Sequence, residues 1–72
     1  MYRIQGTVID RNADGTYNVK IKVQDKEYIL RCFVAGKLKY KFRKVRIENG
    51  DTVIVEVTPY DLTKGKIVKR IR

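Results

Sequence analysis

Histidine and tryptophan are absent from this chain, and cysteine, proline and methionine occur once each. Each gap closes a route. Without histidine there is neither a mixed cysteine–imidazole zinc site nor an imidazole to act as general acid or base. Cys32 has no second cysteine for an internal disulfide and no base partner to activate it, so it reads as a small buried residue. The glycines Gly6, Gly15, Gly36, Gly50 and Gly65 are each isolated, which leaves no glycine-rich phosphate loop. The eight acids are scattered, with no pair at a spacing that implies shared proton transfer. The reading is a protein that is not an enzyme and that needs no metal or cofactor.

Long apolar runs are missing as well. No stretch approaches the roughly eighteen apolar residues that span a bilayer, and residues 1–4 lack the apolar core of a signal peptide. The expected location is the cytosol, or an equivalent organellar stroma or matrix, with no membrane partner. A chain of 72 residues is expected to form one domain, 1–72. That size is near the lower limit for burying a core, which favours a binding module over a catalytic cavity.

What the chain has in abundance is positive charge, at a formal net +9. Six of its seventeen basic residues lie in 37–46 and five in 64–72, and neither stretch holds an acid. The first contributes Lys37, Lys39, Lys41, Arg43, Lys44 and Arg46; the second contributes Lys64, Lys66, Lys69, Arg70 and Arg72. Clustered cations on a small protein attract polyanions, of which nucleic acid is the commonest. The alternative is a lysine-rich solvated surface that only aids solubility.

Apolar residues recur at every second position. Tyr17, Val19, Ile21 and Val23 alternate with Asn18, Lys20 and Lys22; Val53, Val55 and Val57 alternate with polar residues apart from Ile54. The segments 2–10, 27–34 and 66–72 are less regular but rich in strand formers, which makes five strands. Turn chemistry separates them: Asn12-Ala13-Asp14-Gly15, the polar gap at 24–26, and Asn49-Gly50. Leu38, Phe42 and Val45 fall at spacings of four and three, so 37–46 is expected to form a short helix, with a strand extension as the alternative. An all-β, five-stranded Greek-key oligonucleotide-binding (OB) barrel with a short helix between strands 3 and 4 follows. An SH3-like barrel is the competitor.

The run TPYDLTKGKIVKRIR at 58–72 closely resembles the C-terminus of the bacterial-type translation initiation factor one family. IQGTV at 4–8, AGKLK at 35–39 and NGDTVIVEV at 49–57 support it in the same order. The resemblance implies an OB barrel on the small ribosomal subunit at the A site, assisting start-site selection by occupancy and conformational bias. Its implied partners are small-subunit rRNA, neighbouring ribosomal proteins and the other initiation factors, with the protein a monomer off the ribosome. The central segments 15–34 and 37–51 are slightly longer than is usual in the family, as in a divergent, organellar or engineered member.

The family's Gly-Lys-Met-Arg pattern falls on Gly36-Lys37-Leu38-Lys39, and its Lys-Gly-Arg-Ile-Val-aromatic-Arg pattern falls on 64–70. Lysine thus replaces arginine at Lys66 and a ring at Lys69. Charge is kept while a planar fork and a stacking surface are lost. The candidate RNA-binding residues are Lys37, Lys39, Lys41, Arg43, Tyr60, Lys64, Lys66, Lys69, Arg70 and Arg72. Tyr60 either stacks on a base or seals the barrel end, the latter favoured. Tyr17, Tyr28 and Phe33 sit where OB barrels bind ligand, but core packing is the stronger expectation for each. Gly65 is expected to serve a tight turn with close backbone approach. Remaining alternatives are a cold-shock-like RNA chaperone, disfavoured by the lack of clustered aromatics, and a basic protein-interaction barrel. All of this requires the two basic segments to merge into one footprint.

Overall fold

The computed structural model of the protein describes residues 2–34, 47–58 and 60–71. Five strands form there: β1 (Tyr2–Arg11), β2 (Tyr17–Val23), β3 (Lys26–Val34), β4 (Thr52–Thr58) and β5 (Asp61–Arg70). They close into a barrel in the order β1-β2-β3-β5-β4, with β1 pairing back onto β4. Four of the pairings are antiparallel, and β3 with β5 is parallel. The expected all-β, five-stranded OB architecture is therefore present. The segment on which a short helix is expected lies outside the described residues, among which there is no helix.

Alternation along the strands decides what lies inside. Val8, Val19, Ile21, Leu30, Cys32, Val53, Val55, Val57 and Ile67 are all buried, each at 1% exposure or less. Ile4, Tyr17, Val23, Tyr28, Val34 and Ile47 pack half-buried against them. No polar or charged side chain is buried among the described residues. Branched aliphatic residues dominate this core, as suits a narrow barrel whose pleats must interdigitate. Burial also pushes the Cys32 thiol up to about 12, because the thiolate would be desolvated.

Two glycines let the barrel close at this width. A Cβ on Gly6 would lie 2.6 Å from Val19 Cγ1, and one on Gly65 would lie 2.5 Å from Val55 Cγ1 and 3.1 Å from Cys32 Sγ. Gly65 is therefore a mid-strand close-approach position inside the barrel. The tight turn expected there is absent, since β5 begins at Asp61 and runs straight through it. The β2–β3 hairpin turns on Gln24 (φ 49°) and Asp25 (φ 69°), both left-handed, as a two-residue type I′ turn requires. Gly15 and Gly50 (φ 90° each) serve the turns that precede β2 and β4.

Candidate nucleic-acid interface

The outward side chains form rows across the barrel, set by strand register. One row runs Asn18, Arg31, Lys64 over β2, β3 and β5. The next runs Phe33, Lys66, Glu56, Arg3 over β3, β5, β4 and β1. Arg31, Phe33, Lys64 and Lys66 thus share one outer face, at the seam where β3 and β5 run parallel. Phe33 is 53% exposed. The core role expected for it is overturned, because Leu30 and Cys32 take the inward positions and parity sends Phe33 out. Tyr17 and Tyr28, by contrast, pack against the core as expected. Arg11 adds to this, its guanidinium lying 5.9 Å from the centre of the Tyr17 ring.

Beside Phe33 the surface opens into a groove of about 300 Å³. Phe33, Lys64 and Lys66 line one part of it, Glu56, Thr58 and Asp61 another, and the Gly65 backbone contributes to its wall. Asp61 shapes its end by accepting hydrogen bonds from the Thr63 amide (2.9 Å) and the Thr63 hydroxyl. Those two bonds, with the nearby Lys64 ammonium, hold its carboxyl below the ordinary 3.8. Asp61 thus caps the turn that leads into β5. Tyr60, next to it, is 96% exposed. The preferred reading of Tyr60 as a seal on the barrel end is thereby corrected: a ring so open to solvent closes nothing.

The described cations of the tail do not form one cluster. Lys64 and Lys66 flank Gly65, whereas Lys69 and Arg70 follow a register irregularity on β5 and lie against Ile54 and Val53 of β4. Six residues at about 3.3 Å each put Lys64 and Arg70 on the order of 20 Å apart along the strand. Their surroundings differ too. Arg70 Nε donates to Asp51 Oδ2 at 3.0 Å, and the same oxygen accepts from the Glu48 amide at 2.8 Å, so Arg70 is tied to the 48–51 turn. Lys66 Nζ lies 4.0 Å from Glu56 Oε1, and Arg3 Nε 3.5 Å from Glu56 Oε2. Among the described residues neither Lys64 nor Lys69 forms an ion pair.

Lys37, Lys39, Lys41, Arg43 and Arg72, together with Lys44 and Arg46, lie outside the described residues, and with them the merging of the two basic segments. The chain leaves β3 at Val34, whose register partner is Ile67, and returns at Ile47 against the core.

Sequence reasoning passed over Arg31, which sits register-paired with Lys64. A strand parity that put Leu30 and Cys32 inside would have found both Arg31 and Phe33. Arg31 is anchored by Asp14 at 3.5 Å, in a loop stiffened by side-chain bonds. Asp14 accepts from Thr16 Oγ1 (2.6 Å) and Thr16 N (3.0 Å), which hold its carboxyl below 3.8 with help from Arg31. Asn12 and Asn18 exchange amide hydrogen bonds at 3.0 and 3.1 Å, and Asn18 also donates to Asp10.

A closed five-stranded barrel in this strand order, with cations and a free ring on the β2–β3–β5 face, defines an oligonucleotide-binding-type protein. No protein-family model matches the chain. Among solved structures it is similar to translation initiation factor one from the Wolbachia endosymbiont strain TRS of Brugia malayi, at 30% identity and TM-score 0.70, covering 99% of this chain and 78% of that one. It is also similar to YjeQ from Thermotoga maritima, at 20% identity and TM-score 0.74, where it spans 23% of that chain and the likeness is one of fold. The chain belongs to the translation initiation factor one family.

Proposed function

We propose that this barrel is a single RNA-binding domain that acts in translation initiation by occupying small-subunit rRNA near the A site. It carries no chemistry of its own: its effect comes from filling a site and biasing the subunit toward start-site selection. The observation that carries the reading is the β3–β5 seam, where Arg31, Lys64 and Lys66 surround an exposed Phe33 on the barrel of an initiation factor family. Cations supply phosphate contacts and a ring supplies a stacking face, the two ingredients of single-stranded RNA recognition. Lys37, Lys39, Lys41, Arg43, Tyr60, Lys69, Arg70 and Arg72 complete the contact set. Small-subunit rRNA, adjacent ribosomal proteins and the other initiation factors are the partners, and the protein is a monomer when free.

Sedimentation with purified small subunits at two salt concentrations tests this. Binding that falls steeply with salt, and that weakens when Lys64, Lys66 and Arg70 become alanine together, supports it. Equal co-sedimentation of both proteins removes the tail from the mechanism. Equal binding to bulk RNA and to subunits points instead to a general RNA chaperone.

A further inference from the structure

Resting on that RNA-binding reading, we propose that the groove beside Phe33 holds one unpaired guanine base, read along its pairing edge by Glu56 and Lys66. The volume, about 300 Å³, lies at the small end of sites that hold small ligands. Phe33 is a half-exposed ring on its wall, and an aromatic face in that position stacks on any base. Selection must come from the polar groups. Glu56 is an acceptor-only carboxylate and Lys66 a donor-only ammonium, side by side at 4.0 Å.

Guanine presents two adjacent donors, N1–H and N2–H, next to the O6 acceptor. That order complements a carboxylate flanked by an ammonium. Adenine and cytosine offer one amino donor beside a ring-nitrogen acceptor, and uracil one imino donor between two acceptors, so each leaves part of the Glu56–Lys66 pair unmatched. The Arg3 and Lys66 contacts to Glu56, at 3.5 and 4.0 Å, are longer than hydrogen bonds, so both carboxylate oxygens retain lone pairs for a ligand. The Glu56 side chain is only 18% exposed and is flanked by cations on both sides, which fixes it in a partly desolvated setting where charge-assisted bonds are stronger. Lys64 takes the backbone phosphate, while Thr58 and Asp61 complete the lining.

The test is fluorescence anisotropy of the full chain with labelled uridine pentamers carrying guanine, hypoxanthine, adenine, cytosine or uracil at the centre. The guanine pentamer is expected to bind at least about fivefold more tightly than the adenine, cytosine and uracil ones, the scale of a good bidentate base contact. Hypoxanthine, which lacks the N2 amino group, falls between. Glu56→Gln is expected to abolish the guanine preference, read as the ratio of guanine-pentamer to uridine-pentamer affinity within the variant, a ratio that a general gain in affinity from the lost negative charge does not move. A proton NMR titration of the chain with guanosine monophosphate, expected to move the Phe33 ring resonances, supplies a second readout on the unmutated protein. Equal affinities for all five pentamers, with normal salt dependence, overturn the guanine pocket and leave the RNA-binding reading standing. Absence of binding to any pentamer and to small subunits overturns both.

Discussion

The two halves of β5 share a strand and a charge but not a role. In the first half, Asp61 to Lys66, the strand pairs with β4 and, from Lys64, with β3 as well, and its lysines stand beside an exposed ring and a groove. In the second half the pairing with β3 ends at Ile67, only β4 remains as a partner, and Arg70 is bound to Asp51 in a neighbouring turn. Equal formal charge therefore does not mean equal availability. Arg70, held by Asp51 at 3.0 Å, must give up that partner before it meets a phosphate, whereas Lys66 has only a loose 4.0 Å contact with Glu56 and neither Lys64 nor Lys69 has an ion pair among the described residues. The divide between the halves is close to Gly65, where even an added Cβ would meet Val55 and Cys32.

Breaking that divide has the largest expected effect. Gly65→Ala places a methyl group within 2.5 Å of Val55 Cγ1 and 3.1 Å of Cys32 Sγ, and should lower stability by about 1–3 kcal/mol in urea denaturation. An unchanged midpoint would mean that β3 and β4 part freely around β5. Next comes the functional contrast. Lys64→Ala with Lys66→Ala should cost about tenfold in RNA affinity at moderate salt and lower the salt slope by about 1.4–1.8, whereas Lys69→Ala with Arg70→Ala should change both less. Equal losses from the two pairs would erase the distinction between the halves.

Cys32 sharpens the comparison from inside, because it is register-paired with Gly65. Its thiol is neutral in the folded state up to about 12 but ionises near 9.0 when unfolded. Between those values the unfolded chain binds fewer protons, so stability is full below 9.0 and falls as pH rises, by about 1.4 kcal/mol per unit. Thermal melts of the protein and of Cys32→Val at rising pH should diverge above 9.0, and parallel curves would contradict the burial of this thiol. Smaller still is the Arg70 ion pair. Asp51→Asn should cost about 1 kcal/mol through Arg70, since the Arg70 end of the pair is open to solvent while the Asp51 side chain is only 14% exposed, and should leave RNA affinity unreduced. The least effect belongs to Asp61. Its folded carboxyl titrates below 3.8, so its contribution is present above that value and lost as pH falls through the lower folded one. Acid unfolding of Asp61→Asn should show a shallower dependence on pH there.

Strand identity was legible wherever one face is apolar and the other polar. Tyr17 to Val23 and the valines of β4 announce their parity, and the closed five-stranded order follows from five such segments with tight turns. β3 is harder, since Tyr28, Leu30 and Cys32 compete with Ile29 and Phe33 for the inward positions, and only pairing with β2 and β5 decides. That is why Phe33 reads as core while it stands outside. Sequence alone starts β5 at 66, because Asp61-Leu62-Thr63-Lys64 carries no alternation; the strand begins at Asp61, and its register with β4 shifts along that stretch. The tail cations read as one patch because charge density along a sequence ignores the direction in which a strand carries each residue. Partners such as Asp51 for Arg70, nineteen positions away, have no local signature at all.

The parallel seam between β3 and β5 also governs when this molecule can become whole. A hairpin such as β2–β3 can zip up as soon as its second strand exists, but β3 finds its other neighbour only after 61–70 has been synthesised, about thirty residues later. Until then one margin of β3 is an unsatisfied ladder of amides and carbonyls, open to pairing with another chain. The same strand that carries the lysines beside Phe33 is thus the closing stave of the barrel. A nascent chain stalled before it would be both incapable of gripping RNA and prone to association with its neighbours.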